Sequence, residues 1–135
     1  MIQVVVDTDV ASFGYRNDPL YESYASLLAN SDAIISFATY AEMMVGAEMK
    51  RWGPRRFDEL REYLLYHFAV YDCPVQVCDI WVRLNGEARD KGRHLDFYDG
   101  WIAATALFLN IPLVSNNRKD FDFFDGLKLI SFAPT

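Results

Sequence analysis

The sequence predicts an α/β domain with a mostly parallel central sheet of about five strands and helices on both faces. Three observations predict it. Short apolar runs recur along the chain, helix-length segments separate them, and the first run, "VVV" at Val4–Val6, has no polar alternate position. A strand without a polar face is buried on both sides, and strands that alternate with helices pair in parallel.

Each element has its own signal. Ile2–Val6 is a β-branched run and the first strand. Asp9 to Tyr15 reads as a short helix or turn, closed by Asn17-Asp18-Pro19. Leu20–Ala29 is a helix with Leu20, Tyr24, Leu27 and Leu28 on one face, followed by a turn at Asn30-Ser31-Asp32. Ala33–Phe37 is the second strand, and Thr39 to about Lys50 the next helix, broken by Trp52-Gly53-Pro54. Pro54–Tyr66 starts a helix with proline in its first turn. Phe68–Tyr71 is a third strand, Pro74–Lys91 a long helix ending at Gly92, and Phe97–Asn110 a helix before Pro112. Leu113–Ser115 and Leu127–Ser131 are the last strands.

The bulk properties narrow the class. A chain of 135 residues is of single-domain size, so residues 1–135 are read as one domain. Its 52% hydrophobic and 24% charged residues are those of a soluble globular protein. No apolar run approaches the ~20 residues of a membrane span, and no signal-peptide pattern opens the chain. Cys73 and Cys78 lack zinc-site or disulfide-framework spacing and read as reduced thiols, which fits a cytoplasmic protein. A net charge of −6 opposes non-specific nucleic-acid binding, so any such role needs local basic patches.

The acids are the candidate chemistry. Open α/β sheets bind ligands beyond the carboxyl ends of their strands. Asp7 sits just past the first strand, Glu42 in the first helical turn after the second, and Asn116, Asn117 and Asp120 after the fourth. Asp99 starts the helix that leads to the fourth strand, where Ala103 and Ala106 share its face and let it lie close to the sheet. Singly, each acid has an ordinary explanation. Asp7 or Asp9 caps a helix, Thr39-x-x-Glu42 forms a capping box, Asp96-x-x-Asp99 marks another helix start, and Asp120 caps a turn at Phe121–Phe124. Jointly they crowd one edge. Two carboxylates ~4 Å apart repel by about 4 kcal/mol at an effective dielectric of about 20, so such a cluster calls for a cation or shifted pKa values. An all-oxygen set suits Mg²⁺ or Mn²⁺, and His67 and His94 fall outside it. Mg²⁺ there would acidify a water and offset the charge that develops in an in-line displacement at phosphorus.

The segments "VVVDTDV", "ISFATYAEMMVG", "DGWIAATAL", "IPLVSNNRKDF" and "LKLISF", in this order over nearly the whole chain, resemble PIN-domain proteins. The resemblance is closest to VapC-type toxin ribonucleases. It implies a PIN-like three-layer α/β/α sandwich. It also implies a metal-dependent endoribonuclease in which a metal-activated water cleaves RNA to a 5′-phosphate and a 3′-hydroxyl. Asp7, Glu42 and Asp99 match the first three acids, which hold Mg²⁺ or Mn²⁺ directly or through water. Asn117 stands where many relatives have the fourth acid, with Asp120 as the nearby carboxylate, which leaves the metal count open. Thr8 and Ser115 match hydroxyl positions beside the acids. Asp9 replaces the more usual Asn or Ser and reads first as loop support. Gly100 replaces a larger residue, with a local effect. The implied partners are structured RNA such as tRNA or rRNA, a cognate antitoxin that fills a groove, and a second copy of the chain.

Basic residues cluster at Lys50–Phe57 and at Arg89–His94, and of these and their neighbours Arg93, Arg118 and Lys119 are the candidates for RNA phosphates. Tyr15, Tyr21, Tyr24, Trp52, Phe57 and Tyr63 pack the core or line the antitoxin groove. Two rival readings stand beside the nuclease. One is a catalytically inactive PIN-like module that binds RNA or protein. The other is a haloacid-dehalogenase-like phosphatase with Asp7 as nucleophile, for which Lys119-Asp120 is a poor match to the later motifs.

Overall fold

The computed structural model describes residues 1–134. Strands β1 (Ile2–Val6), β2 (Ser31–Ser36), β3 (Ala69–Tyr71), β4 (Leu113–Val114) and β5 (Leu129–Ile130) form one parallel sheet. Six helices accompany it: α1 (Thr8–Arg16), α2 (Glu22–Ala29), α3 (Phe37–Met49), α4 (Pro54–His67), α5 (Val75–Asp90) and α6 (Phe97–Leu109). The sheet order is β3-β2-β1-β4-β5. Strand β1 is therefore central, pairing with β2 from Ile2 opposite Ser31 and with β4 at Val6 opposite Val114.

This position explains why β1 carries three valines. Val4 and Val6 face a layer built from α1, α2, α3 and α4, with Val10, Tyr24, Met44 and Leu64 buried in it. Val5 faces the opposite layer of α5 and α6, against Leu84, Ile102 and Ala103. Period-2 alternation is hidden because both faces are apolar. The result is the predicted three-layer sandwich with five parallel strands.

Several boundaries differ from the sequence reading. Ser31-Asp32 belongs to β2, not to a turn, because Ser31 and Asp32 pair in register with Ile2 and Gln3. The Ser31 hydroxyl still donates to the Leu27 carbonyl at 2.6 Å and ends α2. Phe37 is helical, not extended. Ser36 is the cap of α3, its Oγ accepting from the Ala38 amide at 3.1 Å. The Thr39–Glu42 capping box is thus absent, and Glu42 lies in the second turn of α3. Leu20 sits in a 3₁₀ turn (Pro19–Tyr21) and is exposed, because Asp18 caps that turn and α2 begins only at Glu22. Asp120 lies inside a second 3₁₀ turn, Arg118–Asp120, instead of capping the Phe121–Phe124 segment. Cys73 and Cys78 are free thiols with their sulfurs 3.8 Å apart. Among the described residues, no helix is long and apolar enough to cross a membrane.

Candidate active site

The chain leaves β1 toward β2 on one side, while β4 flanks β1 on the other. The connections after β1 and β4 therefore diverge and open a crevice at the carboxyl end of the sheet. Asp7 stands there. Its backbone is extended and its Oδ1 accepts from the Thr8 amide at 2.8 Å, so it caps α1. Its Oδ2 accepts from the Ser115 hydroxyl at 2.7 Å. Asp7 is only 4% exposed, and these two bonds leave further lone pairs on both oxygens.

The other acids reach the same crevice from different elements. Glu42 comes from α3. Asp99 lies in the first turn of α6, where the helix dipole favours a carboxylate, and its amide donates to the capping Asp96 at 3.2 Å. Asp7, Asp9, Glu42 and Asp99 line one cavity of about 290 Å³ together with Thr8, Ser12, Phe13, Arg16 and Asn117.

Crowding and burial hold these acids toward the protonated form. Burial, then the nearby Asp9 charge, pushes Asp7 well above the usual carboxylate range, although the Ser115 hydroxyl opposes this. Burial raises Glu42 and Asp9 as well. Asp99 is pushed up to about 7, first by burial and then by Asp96, Asp120, Glu42 and Asp9. Four acids at one crevice edge are what a hard cation would relieve.

The donor set fits such a cation. Glu42 Oε1 is buried without a hydrogen-bond partner, which is costly for a carboxylate unless a ligand meets it. Every polar side-chain group around the cavity offers oxygen except the Asn117 amide nitrogen and the Arg16 guanidinium, so the chemistry matches Mg²⁺ or Mn²⁺ better than zinc. Among the described residues, no three acidic, imidazole or thiol side chains already close on one point. That openness accords with mutual repulsion among carboxylates. It also accords with Mg²⁺ chemistry, in which water completes much of the coordination.

The PIN-domain family model matches residues 4–127, taking in all the acids above. The chain belongs to the PIN-domain family. The PIN chain is 30% identical over 129 residues to ribonuclease VapC1 of Haemophilus influenzae (strain R2866), covering 92% of this chain and 93% of the relative. It is 27% identical over 129 residues to the tRNA(fMet)-specific endonuclease VapC of Salmonella typhimurium, covering 96% and 97%. The solved structure of VapBC-1 from nontypeable Haemophilus influenzae superposes with a TM-score of 0.81 at 27% identity, over 96% of this chain and 98% of that one. VapBC2 of Rickettsia felis, bound to a promoter DNA fragment, gives 0.83 at 22% identity over 97% and 99%, a likeness of fold. The phosphatase alternative has no support among these matches.

Within the PIN site, the sequence-predicted residues divide. Asp7, Thr8, Glu42, Asp99 and Asn117 line the cavity, and Ser115 holds Asp7 from beneath. Asp120 does not line it, but accepts a hydrogen bond from the Asn117 side-chain amide. Asp9 gives the loop support expected of it and also borders the cavity. Its Oδ2 accepts from the Asn116 amide at 3.0 Å, tying the loop after β4 to α1.

The three basic candidates do not line the cavity. Arg118 is half-buried and donates to the Ser131 and Ala133 carbonyls at 2.9 and 3.5 Å. Arg93 lies 4.3 Å over the Phe123 ring and donates to the Lys119 carbonyl at 2.6 Å. Lys119 is exposed beside them. Sequence spacing placed them near the edge but gave no sign of these backbone carbonyls. The basic residue that does line the cavity is Arg16, with Ser12 one turn before it. A signal for both was available. Thr8, Ser12 and Arg16 lie four residues apart on one face of the helix that Asp7 caps.

A groove of about 210 Å³ adjoins the cavity and shares Thr8, Ser12, Arg16 and Glu42 with it. Tyr15, Met43, Lys50 and Trp52 complete much of its wall. Of the early aromatics, Tyr15 and Trp52 therefore line this groove. Tyr21 and Tyr63 line a different cavity, Tyr24 is buried in the core and Phe57 packs against that core.

Proposed function

We propose that this PIN protein is a metal-dependent endoribonuclease and the toxin of a VapBC-type toxin–antitoxin module. The observation that carries it is the convergence of Asp7, Glu42 and Asp99 in one cavity, with a buried Glu42 oxygen that lacks a partner. The family match and the ribonuclease names of the relatives support the same reading.

Asp7, Glu42 and Asp99 would hold Mg²⁺ or Mn²⁺. A bound divalent ion supplies an acidified water and charge stabilisation at phosphorus. The chain's own groups do the rest. Ser115 and the Thr8 amide fix the Asp7 rotamer. Asp96, accepting from the Tyr98 and Asp99 amides, caps the turn of α6 that carries Asp99. Asn117, oriented by Asp120, fills the fourth position. Arg16, 54% exposed on its side chain, contacts a substrate phosphate at the cavity mouth, with Arg93 and Lys119 serving outer phosphates. The groove beside the cavity receives a segment of a cognate antitoxin, which would cover Arg16 and Glu42 at once. Val75 and Val82, two turns apart on α5, and Phe97 at the start of α6 are exposed apolar residues suited to pairing with a second copy.

The test is cleavage of a structured RNA such as a tRNA by the purified chain with Mg²⁺ or Mn²⁺. Asp7→Asn and Asp99→Asn are expected to lower kcat by about 100-fold or more, as loss of charge-stabilising groups does, and a chelator is expected to abolish activity. Tight RNA binding with no cleavage under any divalent ion would instead favour the inactive binding module.

A further inference from the structure

Tyr24 is 1% exposed in the first turn of α2, and in sequence it looks like an ordinary core aromatic. Its hydroxyl is not at rest in the core. It donates to Asn116 Oδ1 at 2.6 Å and accepts from the Phe132 amide at 3.0 Å, so both its donor and an acceptor are in use. Its ring lies 5.0 Å from that of Phe132.

Asn116 separates the two residues of this loop that meet the site. On one side, Ser115 donates to Asp7 Oδ2 at 2.7 Å. On the other, the Asn117 amide donates to Ser115 Oγ at 2.9 Å, and its side chain lines the cavity. Asn116 does not line that cavity. It is pinned twice, by its amide to Asp9 and by its side chain to Tyr24. The same loop is held a second time where Arg118 donates to the carbonyls of Ser131 and Ala133. Tyr24, from α2, and Arg118, from the site loop, thus both hold the segment after β5, Ser131–Ala133. β4 and β5 are each only two residues long and give that loop little support from the sheet ladder.

We propose that Tyr24 is a positioning residue for the nuclease site: its hydroxyl, bracing Asn116 against Phe132, sets where Ser115 and Asn117 stand relative to Asp7. This rests on the nuclease reading for its kinetic consequence, but not for the bracing itself. Tyr24→Phe keeps the ring and its packing and removes only the hydroxyl. It is expected to lower kcat about tenfold, since small misplacements at a site are costly, while KM for RNA stays within about twofold. Asn116→Ala should lower kcat in the same direction, and the double variant should fall no further than Tyr24→Phe alone, because the Tyr24–Asn116 bond is already lost there. A merely structural role predicts a lower melting temperature with kcat per folded molecule unchanged. Wild-type kcat in Tyr24→Phe, or multiplying effects in the double variant, would overturn the proposal. Amide exchange provides a readout without catalysis. Exchange at Asn117 and Phe132 should quicken in Tyr24→Phe while that of Val5 stays put. If the wild-type chain shows no cleavage, the nuclease reading fails alone, and unchanged exchange at Asn117 would sink the bracing separately.

Discussion

Asp99 links stability to pH and, on the proposed nuclease reading, to metal binding. Its carboxyl is raised from 3.8 to about 7, chiefly by burial. Between those values the folded protein keeps a proton that the unfolded chain has released, so stability is greatest below the lower value and is lost as pH rises through the upper one. The melting temperature of the metal-free protein is therefore expected to fall between about pH 4 and about pH 7, and Asp99→Asn to flatten that fall. Equal slopes in the two proteins would contradict the assignment. Because a cation must displace that proton, Mn²⁺ affinity measured by calorimetry should strengthen as pH rises across the same window. Arg16 makes a different prediction. It pairs with Asp18 at 3.3 Å but remains half exposed at the cavity mouth. Arg16→Ala should weaken RNA binding and reduce the salt slope of log K by roughly one phosphate contact, leaving metal affinity intact. An unchanged slope in fluorescence anisotropy would remove it from the substrate site.

At the scale of elements, α6 is held by what it lacks. A Cβ on Gly100 would meet Trp81 Nε1 at 2.9 Å and Leu95 Cδ2 at 3.2 Å. Trp81 stacks on Trp101 at 4.6 Å with an angle of 9°, so the indole has little room to retreat. Gly100→Ala is accordingly expected to cost about 1–3 kcal/mol despite alanine's better helix propensity. It should also reduce cleavage, because Asp99 is the adjacent residue; an unchanged denaturation midpoint would show that the indole gives way. Gly46 in α3 is the converse, with no atom within 4 Å of its added Cβ and a place on the groove wall. Gly46→Leu should fold normally, cleave RNA and resist inhibition by the cognate antitoxin, checked by titrating antitoxin into the cleavage assay. Element types were legible in the sequence because hydrophobic runs and breakers are local. β1, α5 and α6 begin and end close to where their patterns place them. The Ser31 boundary and the Ser36 cap were not, since pairing with β1 decides the first and the second competes with an equally good signal at Thr39. Gly100 could be noticed but not explained, because its neighbour Trp81 is nineteen positions away (Gly100 less Trp81) on another helix.

For the whole molecule, the sheet order carries most of the site. Asp7, Glu42 and Asp99 stood among the candidates from their places after strands and near helix starts, because a parallel sheet gathers those points at one end; only the family resemblance separated them from Asp9, Asn117 and Asp120. The basic contacts were not, because Arg93 and Arg118 are directed by carbonyls that only the folded chain brings near. Pairing of two chains is testable at this scale. Val82→Glu and Phe97→Glu are expected to shift the sedimentation coefficient from dimer to monomer without unfolding the protein; a wild-type monomer would remove the pairing. The central place of β1 also governs the order in which the protein can come into being on a ribosome. Asp7 is made early, yet its partner Ser115 lies 108 residues later, as does Phe132 from Tyr24. Contacts of such separation close last. A growing chain therefore exposes its first acid long before that acid has a rotamer, a loop or a cavity. On the proposed reading, the Asp7 site is assembled only after Ser115 has joined the chain.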